Sequence, residues 1–361
     1  MTASHQIPII VGHQDTLLRL SLAGREKGRS FFERGEQGHL DLPRAREGGV
    51  AGSFFAIFVP APPETIKVGV GRVGMNVIQT DQGFEVPYAP AIEMDYARRV
   101  TMAMMATLFR LEDESDGQLG VVRSTDELIY CLDNDIHAAI LHFEGAEAID
   151  ADLDALEVFY RAGLRSLGLV WSRPNIFAQG VPFKFPHSPD TGPGLTEAGR
   201  ELVRGCNRLG IMLDLSHLNE QGFWDVARLS EAPLVATHCN AHALSPSTRN
   251  LTDRQLDAIK ESGGIVGLNF AVYDLRDDYE KDPNTPLELL VRHIDHLVSH
   301  LGIDGVALGT DFDGTTVPAA IGDAAGMPNL VEALRMHGYD DAALRKIGYE
   351  NWLRVLQQTW K

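Results

Sequence analysis

The stretch IPIIVGHQDTLL (residues 7–18) gives the first indication of the fold. It opens with an apolar run of the kind that fills a buried strand, and the run ends abruptly at His13, Gln14 and Asp15. Barrel enzymes place their chemistry at the carboxyl ends of such strands. Residues two apart on a strand share one face, so we expect His13 and Asp15 to point at one spot and Gln14 to point away from it.

Eight apolar runs along the chain share this character and are predicted as strands. They cover residues 7–13, 50–59, 137–144, 165–171, 211–217, 233–238, 264–270 and 305–311. Segments with helical periodicity, such as 91–112, 195–210 and 286–302, lie between them. Buried strands that alternate with helices predict a parallel sheet. Eight such units fit a closed (β/α)8 TIM barrel of the α/β class better than an open sheet.

The whole chain, residues 1–361, is predicted to form one barrel domain. The segment 181–194 is rich in proline and glycine, and we expect it to be an inserted loop that serves as a lid. No low-complexity linker or internal repeat interrupts the sequence, so nothing in the composition suggests a second domain.

The charge of the chain excludes some classes of partner. With 32 basic and 50 acidic residues the formal net charge is −18, which repels nucleic acid and anionic membranes. The three cysteines form no CxxC motif, and we find no signal peptide and no apolar run long enough to span a membrane. We therefore expect a cytoplasmic protein that acts on a small molecule.

Polar residues that can bind metal end five of the predicted strands. The set is His13, Asp15, Glu144, His217, His238 and Asp311. Each one alone has an ordinary alternative, since buried histidines often bond to backbone carbonyls and a strand-end aspartate often caps the next helix. Six at equivalent positions favour a metal site built from nitrogen and oxygen ligands, which suits zinc and also accepts cobalt or manganese.

The sequence resembles the membrane dipeptidase (renal dipeptidase) family of zinc peptidases, which are metallo-dependent hydrolases with an amidohydrolase-like barrel. The matching segments are GHQD (12–15), GGVAGSFFAIFVP (48–60), FEGAEAI (143–149), DLSH (214–217), THCNAHALSPSTRN (237–250) and GTDFDGT (309–315). They occur in the order that the family has and extend over nearly the whole chain.

The resemblance implies a site with two Zn²⁺ ions and a role for each matching residue. His13 and Asp15 would hold one zinc, His217 and His238 the other, and Glu144 would bridge both ions. Asp311 would move a proton to and from a metal-bridging hydroxide. Arg249 would bind the free carboxylate of a dipeptide, supported by Asn250. The resemblance also implies activity on L-Xaa-D-Xaa dipeptides and a homodimer.

Three positions depart from the family pattern. Where the family commonly has a histidine that steadies the oxyanion, this chain has Trp171. Either the metals carry more of that role, with Ser172, Arg173 or Asn175 taking part, or Trp171 is a wall of the substrate pocket. Ala146 and Glu147 follow the Glu-Gly segment where glycine and histidine are common. The loop 181–194 carries His187, which we expect to be solvated and not to reach the site.

Two other functions compete with a zinc dipeptidase. The Trp171 departure leaves open a binuclear metal amidohydrolase that cuts a non-peptide amide, such as an N-acyl amino acid or a lactam. A non-catalytic metal-binding protein is the third hypothesis, which Asp311 argues against, because a scaffold needs no proton shuttle. The histidine-rich helix HIDHLVSH (293–300) lacks an HExxH arrangement, and we expect its histidines to serve packing or to lie on the surface.

Overall fold

The strands of the barrel appear where the apolar runs predict them. The computed structural model describes residues 6–23, 29–62, 78–80 and 83–361. The strands within these ranges are β1 (Ile9–Gln14), β2 (Val50–Phe58), β3 (Ile78–Thr80), β4 (Gly83–Val86), β5 (Leu119–Val121), β6 (His137–Glu144), β7 (Ser166–Gly168), β8 (Phe183–Phe185), β9 (Met212–Asp214), β10 (Val235–Cys239), β11 (Ile265–Asn269) and β12 (Val306–Phe312).

Eight of these strands close into a parallel barrel. The order runs β2-β1-β12-β11-β10-β9-β7-β6, and β6 pairs back with β2 to complete the ring. The short strand β5 pairs with the first half of β6, below the point where β7 joins it. The predicted (β/α)8 TIM barrel is therefore confirmed, and each predicted strand is present with its ends shifted by at most three residues.

Helices fill most of the connections between barrel strands. They are α1 (Thr16–Ala23), α2 (Leu42–Gly48), α3 (Met94–Glu114), α4 (Thr125–Asp133), α5 (Asp154–Ala162), α6 (Glu197–Leu209), α7 (Glu220–Leu229), α8 (Asp253–Glu261), α9 (Val272–Leu275), α10 (Leu287–Leu301), α11 (Met327–His337), α12 (Asp341–Arg345) and α13 (Asn351–Thr359). Among the described residues, no helix combines the length and the apolar character that a membrane crossing requires.

The barrel core divides into two layers because side chains alternate along a strand. Ile9 and Val11 of β1 pack outward in a large cluster with the helices, whereas Ile10 belongs to a second, smaller cluster. That second cluster includes Trp352 of α13, which is fully buried and lies 4.9 Å from the ring of Phe54. The last helix thus places a large aromatic ring against residues that several strands contribute to the barrel interior.

The segment 181–194 is more ordered than an inserted loop. Its residues Phe183–Phe185 form β8, which pairs antiparallel with β4, and β4 pairs with β3. Aromatic side chains at Phe84 and Phe185 stack across this small sheet. The predicted inserted loop therefore contains a short strand that the sequence did not predict, because apolar residues at β8 pair with a strand about a hundred residues away in the chain.

Glycines on three strands make room for one backbone carbonyl, that of Thr237 in β10. A Cβ atom on Gly12, Gly267 or Gly309 would lie within 2.6 Å of this oxygen. The strands β1, β11 and β12 therefore approach β10 more closely than any residue with a side chain would permit. Since His238 follows Thr237, this close packing also fixes the backbone of a predicted metal ligand.

Replacing Gly309 with alanine is expected to destabilise the fold. The new Cβ would lie 2.5 Å from the Thr237 oxygen and 2.9 Å from the His238 Cα, so backbone would have to move. We expect the free energy of unfolding to fall by about 1–3 kcal/mol, measured by urea denaturation. Gly168→Ala in β7 is the matched control, because its Cβ would meet its nearest atom only at 3.5 Å. Equal losses in both variants would contradict this account of the packing.

Candidate active site

The six strand-end residues come together at the carboxyl end of the barrel. They border a cavity of about 1480 Å³ that is lined by Asp15, Glu144, His217 and Asp311 together with residues from the strand-helix loops. The side chains of His13 and His238 lie behind this lining, at most 1% exposed. Three strands thus bring imidazoles and three bring carboxylates to one place, although the site is spread over about 300 residues of sequence.

Glu144 lies between two groups of ligand atoms. One of its oxygens, Oε1, is 3.0 Å from Nε2 of His217 and 3.7 Å from Nε2 of His238. The two Nε2 atoms are 3.2 Å apart. Ligand atoms around a tetrahedral zinc are separated by roughly 3.3 Å when the bonds are 2.0–2.1 Å long. These three atoms therefore have the spacing that one zinc ion requires.

The other oxygen of Glu144 faces the amino-terminal strand. Its Oε2 lies 3.7 Å from Nε2 of His13, which is 3.5 Å from Oδ2 of Asp15. Both ring nitrogens of His13 and the Oδ1 of Asp15 are buried and lack a hydrogen-bond partner among the described residues. Buried polar atoms without a partner are costly in a native protein, and a bound cation would satisfy these. The donor set therefore fits a pair of metal ions that share Glu144.

Hydrogen bonds behind the site hold two histidines, and they fix the tautomer of His238. The Nδ1 of His217 lies 2.8 Å from Oγ of Ser172. The Nδ1 of His238 lies 2.8 Å from Oγ1 of Thr237, whose hydroxyl donates to Oδ2 of Asp214 at 2.6 Å. Because that hydroxyl is already donating, Nδ1 of His238 must carry the proton. Its Nε2 then presents a lone pair toward Glu144, which is the orientation that metal-ligating histidines adopt.

The pKa of His13 is shifted in the opposite direction from the pKa values of His217 and His238. Burial lowers the pKa of both His217 and His238 well below the usual value, and neighbouring Arg249 and His13 lower it further. Both imidazoles are thus neutral and available as ligands. Burial also acts to lower the pKa of His13, but Glu144 and Asp15 outweigh it and raise this pKa to about 10. This rise has a geometric basis, since both carboxylates lie within 3.7 Å of Nε2 of His13.

The backbone around the site contains strained conformations outside glycine. His217, Thr310 and Asp311 all have φ between 63° and 66°, in the left-handed region that side chains disfavour. The pairing of β1 with β12 shifts register between His13 and Gln14, and that of β10 with β11 shifts between Ala236 and Cys239. Irregularities of this kind change the direction in which strand-end side chains point. They explain how adjacent residues of these strands turn toward the cavity.

Asp311 is placed beside the ligand cluster and faces the cavity. Its Oδ2 accepts a hydrogen bond from Nδ2 of Asn269 at 3.2 Å, which orients the carboxylate. Burial raises the pKa of Asp311 to about 7, although His13 acts against this rise. A carboxylate with a pKa near neutrality can both accept and return a proton at physiological pH.

Arg249 lies in the cavity wall next to His238. Its guanidinium donates to the His238 carbonyl at 3.3 Å and to Sγ of Cys239 at 3.7 Å. Burial acts to lower the pKa of Arg249, but Cys239 and the carboxylates of Asp274 and Asp311 outweigh it, so the group stays charged. The cavity therefore holds a buried, permanent positive charge on its His238 side.

Trp171 lines the same cavity and forms an aromatic wall. Its ring lies 5.1 Å from Phe58 and 5.8 Å from Phe183. The guanidinium of Arg173 packs 4.7 Å from the Trp171 ring and 3.8 Å from the carboxylate of Glu147. Within the described ranges, Nε and Nη1 of Arg173 have no hydrogen-bond partner. Two of the departures from the family pattern, Trp171 and Glu147, are thus in contact with one buried arginine.

The structure does not support substrate contacts from Asn175 or Asn250. The amide of Asn175 donates to the Leu169 carbonyl at 2.7 Å and its oxygen accepts from Phe177 and Ala178. The amide of Asn250 donates to the carbonyls of Ser245 and Asp274, both at 2.8 Å. Neither residue is among those that border the cavity. The two side chains hold loop backbone in place, and Asn250 does so in the segment that carries Arg249, so its support of that arginine stays a prediction.

His187 lies apart from the cluster, as expected for a loop residue. It borders a smaller surface depression, with its backbone N–H bonded to the Pro246 carbonyl. Sequence reasoning missed Asn269 and Tyr273, which both border the large cavity. The position of Asn269 at the end of a predicted strand is a signal that would have identified it, whereas Tyr273 lies in a connecting segment without such a signal.

Comparisons with known proteins identify relatives along the whole chain. The family model described as membrane dipeptidase (peptidase family M19) matches residues 2–361. A metallo peptidase from Rhodobacter sphaeroides, solved with a phosphinate mimic of the dipeptide L-Ala-D-Ala, is 51% identical, with 98% of this chain and 100% of that chain covered and a TM-score of 0.90.

Two curated sequences extend the comparison. An uncharacterized protein encoded in the pqqA 5′ region of Klebsiella pneumoniae is 49% identical over 257 residues, which are 71% of this chain and 95% of that protein. The dipeptidase tcpJ of Claviceps purpurea is 28% identical over 322 residues, which are 89% of this chain and 69% of that protein. The chain therefore belongs to the membrane dipeptidase family, peptidase family M19, and is a hydrolase of the dipeptidase type.

Proposed function

We propose that the protein is a binuclear zinc dipeptidase that hydrolyses dipeptides with a free C-terminal carboxylate, including L-Xaa-D-Xaa dipeptides. The observation that carries the proposal is the position of Glu144, whose two oxygens face two separate sets of nitrogen and oxygen ligands. The dipeptide mimic bound by the Rhodobacter sphaeroides relative supports the substrate class. The homodimer and the cytoplasmic location stay predictions.

The distances between the potential ligand atoms support one arrangement of the metal site. His13 and Asp15 would hold one zinc, His217 and His238 the second, and Glu144 would contact both. When bound, the two ions would lower the pKa of a shared water and polarise the scissile carbonyl. The tautomer of His238 leaves a lone pair on its Nε2, so this nitrogen would need to lose no proton before it bound an ion.

Asp311 is proposed to carry the proton of the reaction. As the oxygen of a water molecule bonds to the carbonyl carbon, Asp311 accepts the proton that the water loses. It then gives this proton to the amine nitrogen as the C–N bond breaks, so that the products are two amino acids. The hydrogen bond from Asn269 keeps the carboxylate turned toward the cavity during both transfers.

Arg249 is proposed to position the substrate by its C-terminal carboxylate. The guanidinium lies beside the His238 carbonyl, so a carboxylate bound there lies next to the second ligand set. A planar fork of donors matches a carboxylate in two parallel hydrogen bonds. The aromatic wall of Trp171, Phe58 and Phe183 then faces the remainder of the substrate.

The aromatic wall also supports a second candidate function. Where the family commonly has an ionisable histidine, Trp171 offers apolar surface and one N–H donor. A flat apolar wall suits an acyl chain as well as an amino acid side chain, so hydrolysis of N-acyl amino acids is the alternative. The dipeptidase hypothesis is preferred because the family contains dipeptidases, and it is preferred over a non-catalytic metal protein for the same reason.

Metal removal should abolish hydrolysis, and zinc should restore it. After dialysis against metal-free buffer we expect about two zinc ions per chain by elemental analysis, because two ligand sets share Glu144. Chelator-treated protein should be inactive, and zinc-reconstituted protein should cleave L-Ala-D-Ala. His217→Ala should retain about one zinc ion.

Protein that contains no transition metal and still cleaves dipeptides would refute the proposal. Preference for N-acetyl-alanine over L-Ala-D-Ala would favour the alternative function.

Asp311→Asn should separate proton transfer from metal binding. The amide keeps the shape of the side chain but cannot accept a proton from water, so kcat should fall by about 10²–10⁴-fold. Zinc content, measured on the same preparation, should stay at the wild-type level because the proposed ligands remain. A variant with near-normal turnover would show that another group moves the proton.

Arg249→Ala should discriminate between free and amidated substrates. Loss of a hydrogen-bonded charge pair costs about 1.5–3 kcal/mol, so kcat/KM for L-Ala-D-Ala should fall by roughly 10–150-fold. The dipeptide amide, which has no C-terminal charge, should be affected much less. Arg254→Ala is the matched control, since this exposed arginine packs on Trp224 and its loss changes the net charge equally. Equal losses on both substrates would exclude Arg249 as the carboxylate contact.

A further inference from the structure

A second group of potential metal ligands lies on the outer layer of helices. His296 and His300 are four residues apart on α10, so their side chains share one face of the helix. They meet Asp253 in the first turn of the neighbouring helix α8. One ligand atom from each of the three residues lies within 4.8 Å of the other two. This group is separate in sequence and position from the cluster at the barrel mouth.

Both imidazoles face the same carboxylate oxygen. The Nε2 of His296 lies 2.7 Å from Oδ1 of Asp253, and the Nε2 of His300 lies 3.6 Å from that oxygen. The shorter separation is a hydrogen bond from the Nε2–H of His296 to Asp253, and the longer one is close to the roughly 3.3 Å expected between ligands of a tetrahedral zinc. The two rings are 4.8 Å apart and inclined by 35°, so both nitrogens converge on one point.

The Nδ1–H of His300 forms a hydrogen bond with a different carboxylate, that of Asp257. Its Nδ1 donates to Oδ1 of Asp257 at 3.1 Å. In the neutral imidazole this hydrogen bond leaves Nε2 with a lone pair that faces the oxygen of Asp253. A cation bound between these two atoms would contact both, and at His296 it would replace the proton that Nε2 donates to Asp253. A carboxylate that orients the outer nitrogen is also the arrangement found around metal-bound histidines.

We propose that Asp253, His296 and His300 form a peripheral site for a borderline divalent transition-metal ion, with zinc as the reference ion. Two imidazoles and one carboxylate give the ligand chemistry that such ions prefer over Mg²⁺ or Ca²⁺. The partial exposure of the side chains, 19% for His296 and 26% for His300, leaves the remaining coordination position open to water. The proposal does not depend on the proposed dipeptidase function.

An ion at this place would connect two helices that adjoin the cavity wall in the chain. Helix α8 begins three residues after Asn250, in the chain segment that carries Arg249, and α10 follows the segment that carries Tyr273 and Tyr279 of the cavity wall. On the same helix, Nδ1 of His293 accepts a hydrogen bond from the backbone N–H of Ala241. An ion shared by α8 and α10 would cross-link the helices that support two walls of the cavity and would raise the stability of the folded chain.

Equilibrium dialysis of the full chain against excess free Zn²⁺ tests the site. We expect the wild type to hold one zinc ion more per chain than the His296→Ala/His300→Ala double variant, by elemental analysis. Dipeptide hydrolysis should be the same in both, because neither histidine borders the cavity. His337→Ala is the matched control, since His337 pairs with Asp295 at 2.7 Å without a second imidazole, and it should keep the full zinc content.

Two further variants distinguish loss of the peripheral ion from loss of zinc at the barrel mouth. His217→Ala should lose zinc at the barrel mouth but retain the peripheral ion, so failure of the two sites can be told apart. Asp257→Asn should weaken peripheral zinc binding by about 10–100-fold, because it removes only the orienting carboxylate. Excess zinc should raise the melting temperature of His217→Ala by more than it raises that of the same variant with the double substitution added. Equal zinc content in the wild type and the double variant, or in the wild type and a His300→Gln variant, would overturn the proposal.

Discussion

The arrangement of the active site depends on one buried carboxylate, that of Glu144. Burial, together with the nearby charges of Asp15 and Asp311, raises the pKa of Glu144 well above its usual value, while His13 acts against this rise. A carboxylate in such a place requires compensating positive charge. Its oxygen Oε1 faces His217 and His238, and its oxygen Oε2 faces His13. A cation bound at this carboxylate would supply the compensating charge, which is the electrostatic basis of the proposed metal site.

The barrel supplies this charge arrangement only by departing from regular strand geometry. Side chains alternate along an ideal strand, so adjacent strand-end residues would face opposite sides. At β1, β10 and β12 the register shifts or the backbone enters the left-handed region, and the ligands turn inward. Conformations of this kind cost free energy and are found where the surrounding packing enforces them. Here the close approach of three glycines to the Thr237 carbonyl provides part of that packing.

The sequence predicted the barrel well because the barrel depends on local patterns, and the same patterns point to the ligand residues, whose roles stay predictions. Buried strands produce apolar runs, and a polar residue that ends such a run is conspicuous, so His13, Glu144 and His238 could be identified directly. The position of Asn175 and Asn250 could not be predicted, because an asparagine side chain serves a loop carbonyl as readily as a substrate. The strand β8 was also missed, since its partner β4 is distant in the chain and the two segments have no common local signal.

Arg173 shows how the departures from the family pattern compensate one another. Compared with the family pattern, Trp171 removes an ionisable group from the cavity wall and Glu147 adds a buried carboxylate. A buried carboxylate requires compensating positive charge. Arg173 contacts both, with its guanidinium against the Trp171 ring and 3.8 Å from the Glu147 carboxylate. Burial lowers the pKa of Arg173, and the carboxylates of Glu147 and Glu144 oppose that effect. Because Arg173 borders the cavity and has unpaired donors, positive charge is retained on this wall without a histidine. This part of the cavity wall therefore differs in chemistry from the common family pattern but still carries a cationic side chain.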